Sequence, residues 1–76
     1  MPIKKIDLHY TRHGLVRSNL IRFIEDNWNT DTQVEIITGN SPRMKEIVKK
    51  VLDEYKLEYS EGDFLGVNMG FIRTDI

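Results

Sequence analysis

The chain has 76 residues, no cysteine and a formal net charge of −1. It is therefore one small domain, and a disulfide, a thiolate metal site and thiol catalysis are all excluded. Hydrophobic residues make up 39% and charged residues 30%, which suits a thin core rather than a disordered tail, and the near balance of charge means that any polyanion binding must come from a local basic patch.

The opening Met1-Pro2-Ile3-Lys4-Lys5 has no apolar stretch of the kind a signal peptide carries. No apolar run approaches the roughly 18 residues that cross a bilayer. The expectation is a soluble, cytoplasmic protein with no membrane partner. Residues 3–9 follow: Ile6 and Leu8 alternate with Asp7 and His9, which is strand periodicity. A strand sends successive side chains to opposite faces, so Asp7 and His9 share one face, about 6 to 7 Å apart along the backbone.

Residues 12–27 predict a helix, with Thr11 as its N-cap. Val16, Leu20, Phe23 and Ile24 form its apolar stripe, and Trp28 fits core or helix packing. Asn29-Thr30-Asp31-Thr32 ends it. Residues 33–38 hold Val34, Ile36 and Ile37 and predict a central strand, apolar on both sides toward its end. In Gly39-Asn40-Ser41-Pro42, serine can cap a helix and proline can open it, since its missing N–H would be unpaired there anyway. Met44, Ile47, Val48, Val51, Leu52 and Tyr55 then step by three and four residues. Residues 57–63 and 71–76 alternate as strands, joined through a connection that carries Gly66 and Gly70.

The order is β-α-β-α-β-β. Two strand–helix–strand units imply parallel pairing with right-handed crossovers, and the last two strands should pair antiparallel. The predicted fold class is α/β, an α+β two-layer sandwich: a mixed four-stranded sheet, two helices on one face, the other face partly open, in a single domain spanning 1–76.

Three local patterns carry chemistry. Asp7 and His9 on one strand face pair a carboxylate with an imidazole. Histidine can serve as base or acid in phosphodiester cleavage, and the carboxylate can orient it or hold a magnesium ion. An exposed charge pair at a strand end is the competing reading. Thr38, Gly39 and Asn40 leave a strand and enter a helix, where N–H groups and the helix dipole favour an anion; ordinary turn chemistry is the alternative. Arg12 and Arg43 each stand at a helix start, where a cation is disfavoured by about 1 kcal/mol or less, and that makes phosphate contact an attractive role for them. His9 and His13 lie four apart but not on one helix, and no third ligand is evident, so no zinc site is expected. Tyr10, Phe64 and Phe71 are candidate stacking residues for bases; Phe71 fits the core better, and Tyr10 could either stack or block the site.

Ile6-Asp7-Leu8-His9, then Ile36-Ile37-Thr38-Gly39 leading into a helix, then Asn68-Met69-Gly70-Phe71-Ile72 before the last strand, together resemble the Smr (small MutS-related) domain family over nearly the whole chain. That family carries Leu-Asp-x-His at the end of its first strand, Thr-Gly-x-Gly or His-Gly-x-Gly after its second, and a glycine-rich segment before its last. Here Tyr10 stands where the family usually has glycine, and Ser41 replaces the last glycine of the loop motif. The resemblance implies a fold similar to the C-terminal domain of bacterial translation initiation factor three. It implies nucleic-acid binding, with endonuclease activity on RNA or structured DNA in a number of members. It makes Asp7 and His9 the catalytic pair and Thr38, Gly39 and Asn40 the phosphate grip, with Arg12 and Arg43 as charge partners. Asn68 and Gly70 would line the same cleft, or form a plain hairpin connection. The alternative function is a non-catalytic nucleic-acid or protein interaction module with the same fold, acting with a larger protein partner.

Overall fold

The computed structural model describes residues 3–62, 66 and 69–76. Its elements are β1 (Ile3–Asp7), α1 (His13–Asp26), β2 (Gln33–Ile37), α2 (Pro42–Glu54), β3 (Tyr59–Glu61) and β4 (Phe71–Asp75). The sheet order is β1-β2-β4-β3, with β1 parallel to β2 and β4 antiparallel to both of its neighbours. The fold is the α+β arrangement expected, a mixed four-stranded sheet with two helices. The second strand–helix–strand unit is split: β3 does not pair with β2, because β4 lies between them.

One face of the sheet meets both helices. Val34 and Ile36 of β2 and Ile72 of β4 form a single buried cluster with Val16, Leu20 and Ile24 of α1 and Met44, Val48, Val51 and Leu52 of α2. Burying each such side chain contributes about 1.5–3 kcal/mol against exposure. The opposite parity on the strands gives the other face: Lys5, Glu35 and Arg73 in one row across β1, β2 and β4, and Asp7, Ile37 and Phe71 in the next. Phe71 is buried, as a core residue would be, but it lies on this second face and outside the helix-side cluster.

The local starts and stops are mostly those the residue types demand. Ser41 caps α2, its hydroxyl accepting the Met44 N–H at 3.2 Å, with Pro42 in the first turn. At the far end Lys56 takes φ +57°, the Leu57 N–H bonds Leu52 O at 3.0 Å and the Lys56 N–H bonds Asp53 O at 3.0 Å, which closes the helix by a Schellman-type turn. The start of α1 differs from expectation. Arg12, not Thr11, holds the cap position, and it makes no side-chain cap bond. Thr11 belongs to the preceding turn, where its N–H bonds Leu8 O at 2.9 Å. Trp28 is 48% exposed and packs its ring on Tyr55, 5.5 Å between centroids, so its role is helix packing and not core.

Among the described residues, ion pairs tie the two helices to each other and α2 to the sheet. Arg17 of α1 donates twice to the Glu54 carboxylate of α2, at 2.7 and 2.6 Å, an exposed pair of small energetic weight. Glu61 of β3 is held by Lys49 at 2.6 Å and Lys45 at 3.2 Å from α2. The Lys49 bond, then the Lys45 bond, keep the Glu61 carboxyl below its ordinary value. A depressed folded-state value adds stability that is present above the unfolded value and lost as pH falls through the folded one. Glu61→Gln should therefore lower stability at neutral pH and leave a shallower loss on acidification. Urea unfolding of both proteins at neutral and acid pH measures this; parallel losses would refute it.

Among the described residues no helix is long and apolar enough to cross a membrane.

Candidate functional site

β1 and β2 run parallel with Asp7 opposite Ile37, so the segments that leave them emerge side by side. Strand pairing is not the last tie. Leu8 N–H bonds Ile37 O at 2.8 Å, which carries the ladder one residue past β1. The chain then turns, and His9 lies in that turn, not in the strand as the alternation predicts. The reason is local. The Asp7 carboxylate accepts the His9 backbone N–H at 3.1 Å, an Asx-type turn that ends the extended run.

The same carboxylate oxygen bonds His9 Nδ1. The pair thus meets through a turn rather than along a strand face. The His9 side chain is 31% exposed and that of Asp7 54%. The Asp7 carboxyl is held below its ordinary value, first by the side-chain bond with His9 and then by the backbone one. With Nδ1 engaged, Nε2 is the ring nitrogen left to meet a substrate; it bonds nothing else among the described residues.

Gly39 brings the second strand end against the first. Its φ is +65°, and a Cβ built there would stand 3.2 Å from the His9 Cβ. Glycine suits both the backbone conformation, which other side chains adopt only at a cost, and the close approach of His9. Its neighbour Thr38 is buried, and its donors are committed: the N–H groups of Thr38 and Gly39 both bond Gly70 O at 2.9 Å, and the Thr38 hydroxyl bonds Gly39 O at 2.8 Å. Thr38 thus stitches β2 to the entry of β4. Asn40, exposed at the rim, is among the groups that this loop has left for an anion.

A cavity of about 530 Å3 opens on the helix-free face of the sheet. His9, Gly39, Asn40 and Gly70 form one end, and Ile37 and Phe71 the floor. Lys5, Glu35 and Arg73 close the other end. Glu35 bonds Arg73 at 2.5 Å and faces Lys5 at 3.7 Å, and the Arg73 guanidinium lies 5.3 Å over the Phe71 ring. Asp7 does not line this cavity. It borders a different depression on the outer flank of β1, with Thr11 and Arg22, so it reaches the site only through the imidazole. Tyr10 stands beside His9, ring centroids 3.8 Å apart.

His9, Gly39, Asn40, Gly70 and Tyr10 are therefore brought together, with Asp7 behind His9 and Thr38 beneath Gly39. Arg43 is not with them. It lines a cavity of about 410 Å3 between the helices, with Arg17, Glu46 and Lys50. Arg12 is exposed at the α1 cap, and no ion pair or hydrogen bond ties its side chain to the cavity among the described residues. Asn68 and Phe64 lie outside the described residues. Lys5, Glu35 and Arg73 were missed as site residues, although strand parity carried a signal: Lys5 shares its face with Asp7, and Arg73 shares its face with Phe71.

No family model, no curated protein and no solved structure matches this chain. The chemistry must be argued from the residues. Among the described residues no group of three or more His, Asp or Glu converges in the manner of a metal site. A magnesium ion at Asp7 would accordingly rely on water and substrate oxygens for most of its ligands, which suits that ion's habits.

Proposed function

We propose that the chain is a small nucleic-acid-binding domain similar to Smr domains, and that it cleaves phosphodiesters with His9 as the proton-transfer group. The observation that carries this is the Asp7–His9 couple set against Gly39 at the mouth of an open cavity. Asp7 is a positioning residue: by holding Nδ1 it fixes the ring and leaves Nε2 to the substrate. Nε2 takes the proton of an attacking water or ribose hydroxyl as its oxygen bonds phosphorus. The phosphorus–oxygen bond on the leaving side breaks, and the imidazolium returns the proton to that oxygen. Asn40 offers its amide to the phosphate, and Lys5 and Arg73 supply positive charge on the adjoining face.

A second reading is a binding domain without cleavage. It is favoured by one observation: the N–H groups of Thr38 and Gly39, which an anion cradle would use, are already bonded to Gly70. Labelled RNA and DNA, single- and double-stranded, with and without divalent ions, separate the two. Cleavage supports the first; binding whose affinity falls between about 50 and 200 mM salt, with no cleavage, supports the second. Affinity indifferent to salt defeats both.

Asp7→Asn tests the positioning role. The amide oxygen still accepts from Nδ1 but no longer carries charge. Cleavage should slow by about 10- to 100-fold, the scale on which a group that orients a histidine matters, while binding stays the same. An unchanged rate would remove Asp7 from the mechanism.

A further inference from the structure

Tyr10 keeps 92% of its surface in solvent. Its ring lies against the His9 imidazole, 3.8 Å between centroids and tilted by 41°. One face of the phenol ring is thus partly covered and the other is open, one residue from the proton-transfer group. Folding does not account for this placement, because so exposed a ring adds nothing to the core. An exposed aromatic alone needs no explanation. One laid on the imidazole that Asp7 holds and Gly39 abuts extends a functional surface.

Every nucleobase has a flat apolar face that can stack on such a ring, and stacking is tolerant of sequence. Inside a duplex both faces of a base are covered by its neighbours. Only an unpaired base has a face to give. The helix-free side of the sheet reinforces the point, since its cavity is open to solvent and has His9 among its lining residues, so a strand can cross it with its bases turned outward.

The geometry points to Tyr10 as the specificity-determining platform of this site: it stacks on an unpaired base next to the phosphate presented to His9, so that single-stranded or extrahelical nucleotides are chosen over paired ones. This rests on the nucleic-acid reading above and adds which nucleic acid the site takes.

The test uses the full chain and oligonucleotides carrying 2-aminopurine at one unpaired position, whose fluorescence is quenched on stacking. A fully paired oligonucleotide is the comparison. The parent protein and Tyr10→Phe should quench the probe and prefer the single strand. Tyr10→Ala should lose the quenching, bind the single strand about tenfold more weakly, in line with the usual worth of one base–aromatic stack, and bind duplex unchanged. Circular dichroism confirms that this exposed position leaves the fold alone. Single-strand preference that survives in Tyr10→Ala overturns the inference and spares the nucleic-acid reading. Tighter binding by Tyr10→Ala also overturns it, since the ring would then be an obstruction. A parent that binds neither oligonucleotide overturns the underlying reading, and this inference with it.

Discussion

His9→Ala should abolish phosphodiester cleavage and leave the domain folded. The imidazole touches Asp7 and Tyr10, both exposed, and belongs to no part of the buried cluster. Its removal therefore costs the core nothing. What is lost is the imidazole, the side chain among the described residues of the cavity best suited to both take and return a proton, and positioned general acid–base groups are worth about 100- to 10,000-fold in rate. The variant should also differ from the parent in its response to acid. In the parent, Asp7 is held below its ordinary value chiefly by its bond to His9. That bond contributes above the unfolded carboxylate value and is lost as pH falls through the folded one, so the Asp7 carboxylate stays ionised across the neutral range. Without His9 the main cause of the shift is gone. Cleavage of labelled RNA and DNA, read beside a circular dichroism spectrum, decides the matter. A folded His9→Ala that cuts as well as the parent would sink the catalytic assignment.

Gly39→Val carries the second large effect, on stability and activity together. The residue sits at φ +65°, a region that costs a β-branched side chain about 1–3 kcal/mol. The new Cβ would also press on the His9 Cβ from 3.2 Å, closer than ordinary van der Waals contact, so His9 must give by a few tenths of an ångström, which disturbs its pairing with Asp7. The two causes can be separated. Asparagine tolerates positive φ but still carries a Cβ, so Gly39→Asn should keep most of the stability and still lose cleavage. Urea unfolding and cleavage rates on both variants provide the measurement. Parent-like stability and rate in Gly39→Val would mean that neither the strain nor the contact matters.

Much of the architecture was legible because its signals are local. The alternation of Ile6 and Leu8 with Asp7 and His9 chose which side chains turn inward, and Leu8 is indeed buried while Asp7 and His9 are not. Ser41 and Pro42 marked the start of α2, and the three- and four-residue steps from Met44 gave the face it buries. The meeting of His9 and Gly39 was also legible, since adjacent parallel strands release their chains at the same edge of a sheet. Arg43 shows a signal left unused. Arg43, Glu46, Ile47, Lys50 and Glu54 step by three and four residues along one flank of α2, which turns Arg43 toward the helix–helix cleft and away from the loop that precedes it.

Residue pattern by itself determined the elements, their inward faces and the rim where His9 and Gly39 meet, because capping, side-chain periodicity and the backbone freedom of glycine act over a few neighbours. Only the tertiary structure decided that β4 inserts between β2 and β3, that Glu35 is flanked by Lys5 and Arg73, and that Gly70 takes up the donors of Thr38 and Gly39. The pairing of β4 with β2, the contacts of Glu35 and those of Gly70 join residues about 30 or more positions apart. Such contacts are selected by how the whole sheet pairs and packs, which no short stretch of chain encodes.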